Sequence, residues 1–328
     1  MSFPFDRPRR LRRTPALRKL VRETKLHPSD FILPCFVVSG KGKKEPIETL
    51  PGCYRYSPDE LVKFVREARS LRIPGIILFG IPDTKDAVGS SSWQSDSVVA
   101  VAAKELKNSI DDIAVIADVC LCEYTDHGHC GVYADGDVDN DATLELLAKQ
   151  AVSFANAGVD VVAPSDMMDG RVEVIRDALD DQGFDNTAIL AYSAKYCSAF
   201  YGPFRDAADS APKEGDRSTY QMDPPNVIEA LKEIQMDIDE GADMVMVKPA
   251  LSYLDIISEA KAIVDRPLFA YNVSGEYAMV KASAQKGWAD EKRLTLEILT
   301  SIKRAGADAI LTYHAPSAAR WIIEDMTK

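Results

Sequence analysis

One phrase, repeated three times, restricts what this chain can fold into. Ala157-Gly-Val-Asp-Val-Val-Ala-Pro-Ser165 returns as Glu240-Gly-Ala-Asp-Met-Val-Met-Val-Lys248, and again as Ala305-Gly-Ala-Asp-Ala-Ile-Leu-Thr-Tyr313. Each copy follows an amphipathic helical stretch and has the same grammar: a glycine, a small apolar residue, an aspartate, then a short apolar run. Glycine just past a helix end takes the left-handed conformation at little cost. A run that is apolar on both faces suits a strand buried in a parallel sheet.

Extending that grammar over the chain predicts eight strand–helix units. Strands are expected at 31–38, 75–80, 113–120, 160–165, 188–195, 244–249, 267–273 and 309–314. Helices are expected near 58–71, 96–108, 142–157, 171–182, 226–240, 253–264, 275–304 in two pieces, and 316–326. Strict alternation gives a parallel α/β sheet, and eight units predict closure into a (β/α)8 TIM barrel with an extended N-terminal arm. An open doubly wound sheet is the alternative, weakened by the lack of a pyrophosphate-binding glycine fingerprint. The 328 residues divide into a basic arm over 1–28 and a catalytic barrel over 29–328. The segment 196–225 has no clear periodicity, and so long a loop in a compact domain is usually functional. Following strand 5 directly, it is expected to cover the C-terminal mouth as a lid.

The net charge of −12 argues against general nucleic-acid binding. Arg7-Pro-Arg-Arg-Leu-Arg-Arg13, followed by Arg18, Lys19 and Arg22, is a basic exception. A targeting segment and a nucleic-acid arm are alternatives; the preferred reading is an arm that docks on the acidic surface of another subunit. No apolar stretch reaches a membrane span. The six cysteines, at 35, 53, 120, 122, 130 and 197, do not form a secreted disulfide pattern. They point to a reducing, cytoplasmic setting.

Active sites of such barrels lie at the C-terminal ends of the strands. Strand 3 ends in Asp118 and Cys120, strand 4 in Ser165-Asp166, strands 5 and 6 in Lys195 and Lys248, strand 7 in Ser274, and strand 8 in Tyr313-His314. Lys195 and Lys248 are expected to share one cavity, where burial and like charge depress both pKa values. A neutral amine attacks a ketone or aldehyde to make a Schiff base. A salt bridge to a loop carboxylate is the plainer reading of a single strand-end lysine. Cys120-Leu-Cys122-x7-Cys130 supplies three thiolates from one loop, a set that suits zinc with a fourth position open. Free thiols at a strand end are its alternative, and Cys35, Cys53 and Cys197 read as packing residues. Arg205 and Arg217 in the lid could fork onto a carboxylate, with Ser274 and Tyr313 as neutral donors across the mouth.

Together these residues resemble the porphobilinogen synthase, or 5-aminolaevulinate dehydratase, family over essentially the whole chain. The blocks that carry the resemblance are Asp118-Val-Cys-Leu-Cys122 with Gly128-His-Cys-Gly131, Pro164-Ser-Asp-Met-Met-Asp-Gly-Arg171, Lys195-Tyr196 leading to Phe200-Tyr-Gly-Pro-Phe-Arg-Asp206, Met246-Val-Lys-Pro249, and Val273-Ser-Gly-Glu-Tyr277. The resemblance implies a lyase of haem (tetrapyrrole) biosynthesis that condenses two 5-aminolaevulinate molecules to porphobilinogen with loss of two waters. It implies a Schiff base on Lys248, with Lys195 serving the second substrate, either as a second Schiff base or as the charge that tunes Lys248. Ser274 and Tyr313 would hold one carboxylate, and Arg205, Arg217 and Gln221 the other. Asp118 and Ser165 would orient the first amine and the reactive lysine. Zinc on Cys120, Cys122 and Cys130 would polarise the second substrate. The resemblance also implies an allosteric magnesium at Glu240, for which a solvated helix-end glutamate is the alternative, and a homo-octamer embraced by the basic arms. Two rivals remain open: a metal-independent Schiff-base aldolase, and a non-catalytic zinc-binding or redox-sensing protein.

Overall fold

A computed structural model describes residues 6–326. The first five residues of the expected arm, and the last two of the chain, lie outside the described residues. Eight parallel strands form a closed barrel: β1 (Phe31–Val38), β2 (Gly75–Ile81), β3 (Ala114–Val119), β4 (Val161–Pro164), β5 (Ala188–Lys195), β6 (Met244–Lys248), β7 (Leu268–Asn272) and β8 (Ala309–Thr312). Closure is made by β8 on β1, with Phe31 opposite Ile310 and Ile32 opposite Leu311. Outside it lie α1 (Pro58–Ser70), α2 (Val98–Ser109), α3 (Asn140–Asn156), α4 (Arg171–Asp181), α5 (Ile228–Asp239), α6 (Leu254–Ile263), α7 (Ser274–Gln285), α8 (Glu291–Ala305) and α9 (Ala315–Met326). The expected strands and helices are thus all present, within about two residues at each end.

The repeated phrase has a physical job at both of its fixed positions. Gly158, Gly241 and Gly306 all have positive φ, at 91°, 106° and 129°, so each turns the chain from helix into strand. The aspartate two residues on reaches sideways to the neighbouring strand. Asp160 accepts from Val115 N–H, Asp243 from Ile189 N–H and Asp308 from Leu268 N–H, each at 2.8 Å. Each aspartate therefore satisfies a backbone donor at or near the start of the preceding strand, where no ladder partner is available.

The strands bury both faces, in two separate apolar layers. Leu33, Cys35, Ile76, Leu78, Val115, Ala117, Val162, Ala191, Val245, Val247 and Ala270 pack outward against the helices. Ile32, Phe36, Ile77, Phe79, Ile116, Ala163, Leu190, Tyr192, Met246, Tyr271 and Leu311 fill the barrel interior. Strand side chains alternate faces with period two. Continuing the inward set therefore points Asp118, Cys120, Ser165, Lys248 and Tyr313 into the mouth.

Three local features were not expected. Two short antiparallel pairs form, one between Lys44–Pro46 and Tyr54–Tyr56, the other between Val132–Ala134 and Asp137–Asp139. The lid is partly helical, with a turn at Ala199–Tyr201 and a helix at Gly202–Ala207. Ser274 is the first residue of α7, not the last of β7. Within the arm, a short helix covers Pro15–Leu20, and Arg9, Arg10, Arg12 and Arg13 are exposed. No helix among the described residues is long and apolar enough to cross a membrane.

Candidate active site

Lys195 and Lys248 are direct neighbours across β5 and β6. Inward alternation on β5, through Leu190 and Tyr192, would turn Lys195 outward. A bulge corrects this. Val245 pairs with Ala191 and Val247 with Ala194, so three steps on β5 meet two on β6. The extra residue inverts the alternation and aims Lys195 into the mouth. Both lysines are only 5% exposed.

Their surroundings differ, and so do their protonation tendencies. Lys248 Nζ sits 4.5 Å from the ring centre of Tyr271, 5.0 Å from Tyr192, 5.2 Å from Phe204 and 5.3 Å from Tyr201. Burial in this box, and then the charge of Lys195, bring its pKa down to about 7. Burial also pulls Lys195 down, but the sulfurs of Cys130, Cys120 and Cys122 outweigh it and hold that ammonium above the ordinary lysine value. The expectation that both lysines are depressed is therefore corrected: one is, and its partner stays charged. Lys195 Nζ also donates to the Ser165 carbonyl.

Asp118 and Ser165 lie on the same floor. Ser165 Oγ donates to Asp118 Oδ2 at 2.9 Å. Burial raises the Asp118 carboxyl, while the Lys248 and Lys195 charges pull it back. Asp118 Oδ1 has no protein partner.

Cys120, Cys122 and Cys130 are buried together, with all three Sγ atoms within 4.8 Å of one another. A tetrahedral zinc with Zn–S bonds of about 2.3 Å separates its sulfurs by about 3.8 Å. The 3.4 Å Cys120–Cys122 spacing is close to that value, so the cluster could bind a metal with small shifts. Hydrogen bonds from Cys120 and Cys122 hold the Cys130 thiol well below its usual range, with Arg217 and Lys195 assisting. Gln150 Nε2 donates to the Cys120 carbonyl at 3.0 Å and fixes the strand exit.

The lid docks on this cysteine loop. Arg217 donates to the carbonyls of Gly128 at 2.9 Å and Ser210 at 2.6 Å. Lys213 N–H donates to the His127 carbonyl at 3.0 Å. His129 bonds the Tyr220 hydroxyl at 3.1 Å and the Glu214 carbonyl at 2.9 Å. The backbones meet so closely that a Cβ on Gly128 would stand 2.4 Å from the Ala211 carbonyl oxygen.

Several buried polar atoms without protein partners lie in the lid. Arg205 Nε, Arg217 Nε and both ends of the Gln221 amide are such atoms. Buried polar groups are nearly always paired in folded proteins, so these suit a polar ligand. On the opposite side, Tyr313 shares a 3.2 Å hydrogen bond with Tyr271, and Ser274 Oγ accepts from Phe204 N–H at 3.0 Å.

Glu240 stands apart from this group. Its Oε2 accepts from Val172 N–H at 3.2 Å and Glu173 N–H at 3.5 Å, at the N-terminus of α4. Burial and Asp237 raise its carboxyl. Next to it, Arg171 and Asp237 form a buried bidentate pair at 2.9 and 2.8 Å.

Sequence reasoning missed several residues of the site. Tyr192, Tyr201, Phe204 and Tyr271 form the box around Lys248, and Glu123 is buried with Oε2 3.4 Å from Cys122 Sγ. Inward parity identifies Tyr192 and Tyr271 once the register is known. Nothing in the local pattern marks Glu123.

Comparison with known proteins agrees with this geometry. The family model described as delta-aminolevulinic acid dehydratase matches residues 5–321. The delta-aminolevulinic acid dehydratase of a Synechocystis species is 58% identical over 324 residues, covering 98% of this chain and 99% of that one. The Bacillus subtilis protein of the same name is 56% identical over 324 residues, covering 99% of this chain and 100% of that one. A solved Toxoplasma gondii delta-aminolevulinic acid dehydratase (porphobilinogen synthase), in complex with the reaction product porphobilinogen, superposes with a TM-score of 0.96. It is 48% identical, and the match covers 98% of this chain and 93% of that one. With the family model spanning residues 5–321 and relatives 56–58% identical over nearly their whole length, this chain belongs to the delta-aminolevulinic acid dehydratase family.

Proposed function

We propose that this protein joins two molecules of 5-aminolaevulinate into porphobilinogen, releasing two waters, through a Schiff base on Lys248. The observation that carries the reading is the pairing of a depressed lysine with a charged one beside three buried cysteines. At neutral pH about half of a group with a pKa near 7 is a free amine. Its nitrogen attacks the ketone carbon of the first substrate. A C–N bond forms, the carbonyl oxygen takes a proton, and loss of water leaves the imine. Asp118, hydrogen-bonded to Ser165 and with Oδ1 unpartnered, is the nearby group suited to hold and return that proton. Ser274 and Tyr313 would fix the carboxylate of this first substrate.

The second substrate would lie under the lid, its carboxylate on Arg205, Arg217 and Gln221. Lys195, held cationic, tunes Lys248 and faces the second carbonyl. The donor set of Cys120, Cys122 and Cys130 suits zinc, which when bound would supply Lewis-acid polarisation of the second substrate. Magnesium at Glu240 rests on the resemblance and fits in part, since one carboxylate oxygen already caps α4. The exposed arginines of the arm, set against an acidic body, support self-association into an octamer in which residues 1–28 act as a subunit clasp.

The test is a colour assay for porphobilinogen, run with and without added zinc, joined to borohydride trapping. The expected result is zinc-dependent product formation and one substrate-derived adduct on Lys248. A mass of Lys248 left unchanged by substrate and borohydride refutes the mechanism. Porphobilinogen formation that survives complete chelation would remove zinc from the mechanism, and an adduct on Lys248 without any porphobilinogen would favour the aldolase chemistry instead.

A further inference from the structure

Glu276 is a carboxylate that no step above uses, yet it is 1% exposed. It is the third residue of α7, where glutamate often reaches back to a single backbone N–H at the helix start and remains wet. Here that bond exists, from Val273 N–H to Oε2 at 3.0 Å, but two more converge on the same group. Leu251 N–H donates to Oε1 at 2.8 Å, and Asn272 Nδ2 donates to Oε2 at 2.6 Å. The chain continues: Thr312 Oγ1 donates to Asn272 Oδ1 at 2.8 Å, and His314 N–H donates to Thr312 Oγ1 at 3.1 Å.

These bonds join three strand exits. Leu251 lies three residues beyond Lys248 on the exit of β6. Asn272 and Val273 lead to Ser274 on the exit of β7. Thr312 and His314 flank Tyr313 on the exit of β8. The segments that carry the amine and the two carboxylate donors assigned above to the first substrate are therefore tied to one hydrogen-bond frame. From this geometry we infer that Glu276 is a positioning residue that sets the distance between the Lys248 amine and the Ser274–Tyr313 carboxylate site, and so the length of keto acid the first subsite accepts. The inference rests on the Lys248 reading and deepens it. Misplacement of about 1 Å between reacting and binding groups can cost up to about a hundredfold in rate.

Glu276→Gln keeps the shape but cannot accept at both ends, because its amide nitrogen must face either Leu251 N–H or the Val273–Asn272 pair. The experiment measures borohydride-trapped adduct on Lys248 with 4-oxopentanoate, which carries the ketone and the carboxylate, and with its methyl ester, which lacks the charge. The full-length protein should trap the acid faster than the ester. In Glu276→Gln that acid-over-ester ratio should fall about tenfold or more. Thr312→Val, which cuts the frame at its far end without touching Glu276, should lower the ratio in the same direction by a smaller factor. A merely structural role slows both probes equally, so an unchanged ratio in the folded variants overturns the inference. If Glu276→Gln does not fold, Thr312→Val decides by itself. No adduct on Lys248 in the unmodified protein would sink the Lys248 assignment, and this inference with it.

Discussion

Lys195 and Lys248 stand opposite each other in register, and their environments drive their protonation in opposite directions. Burial lowers both. For Lys248 burial among aromatic rings and the charge of Lys195 outweigh the pull of Asp118, whereas for Lys195 three sulfurs outweigh burial. An ordered pair results, with one cation lowering the pKa of one nucleophile.

That order has a pH signature. Lys248 must lose its proton to react, so kcat/KM should rise as pH passes through about 7. Lys195→Met removes the charge that helps depress Lys248, so the Lys248 pKa should rise. The acid limb should then move to higher pH, by about one unit or more. A limb that stays in place would show that Lys195 does not tune Lys248.

Removing the nucleophile should be more severe than removing the cation. Lys248→Ala should lower kcat by about three orders of magnitude or more and abolish the trapped adduct. Lys195→Met should still form an adduct on Lys248. Comparing adduct mass with turnover in both variants separates the two roles.

The cysteine cluster should bind one metal through three thiolates. Any one of Cys120→Ser, Cys122→Ser or Cys130→Ser should weaken zinc retention, measured by competition with a chromogenic chelator. Metal binding releases protons from thiols, and burial and the neighbouring sulfurs raise Cys120. Affinity should therefore fall as pH drops. Equal zinc retention in a triple serine variant would place the metal elsewhere.

Arg217 supports the lid and faces the proposed second carboxylate. Arg217→Lys keeps the charge but loses the planar guanidinium, whose Nη2 reaches both Gly128 and Ser210 and whose other nitrogens would fork onto a carboxylate. The expected outcome is a KM raised about tenfold or more with the zinc content unchanged. Equal KM values would remove Arg217 from the binding site.

The repeated phrase makes a stability prediction. Asp243→Ala leaves Ile189 N–H without its acceptor and should cost about 1 kcal/mol in chemical denaturation. Gly306→Ala should cost more than Gly158→Ala, because its Cβ would meet the Lys261 Cβ at 2.6 Å. Asp308 carries a pH effect as well. Burial pushes its carboxyl up, but hydrogen bonds from Lys261 and Leu268 hold it below the usual range. A depressed carboxyl adds stability above the unfolded-state value and loses it as pH falls through the folded one. Asp308→Asn should therefore flatten the acid side of a plot of Tm against pH.

The sequence by itself determined the barrel and named most of the residues that meet at its mouth. Strand and helix positions follow from apolar period and glycine placement, because these are local. Alternation alone points Asp118, Cys120, Ser165, Lys248 and Tyr313 inward, once the strands are known to be parallel and closed. Tertiary structure decided the rest. The orientation of Lys195 needed a bulge whose extra residue is defined only by pairing with β6. The opposite protonation of the two lysines needed the distances to rings on β5, β7 and the lid and to the sulfurs beyond β3. Glu276 reads locally as an ordinary helix cap; only when Leu251 and Asn272 fold against it does it join three strand exits. Burial and electrostatics depend on what approaches from far along the chain, and periodicity carries no record of that.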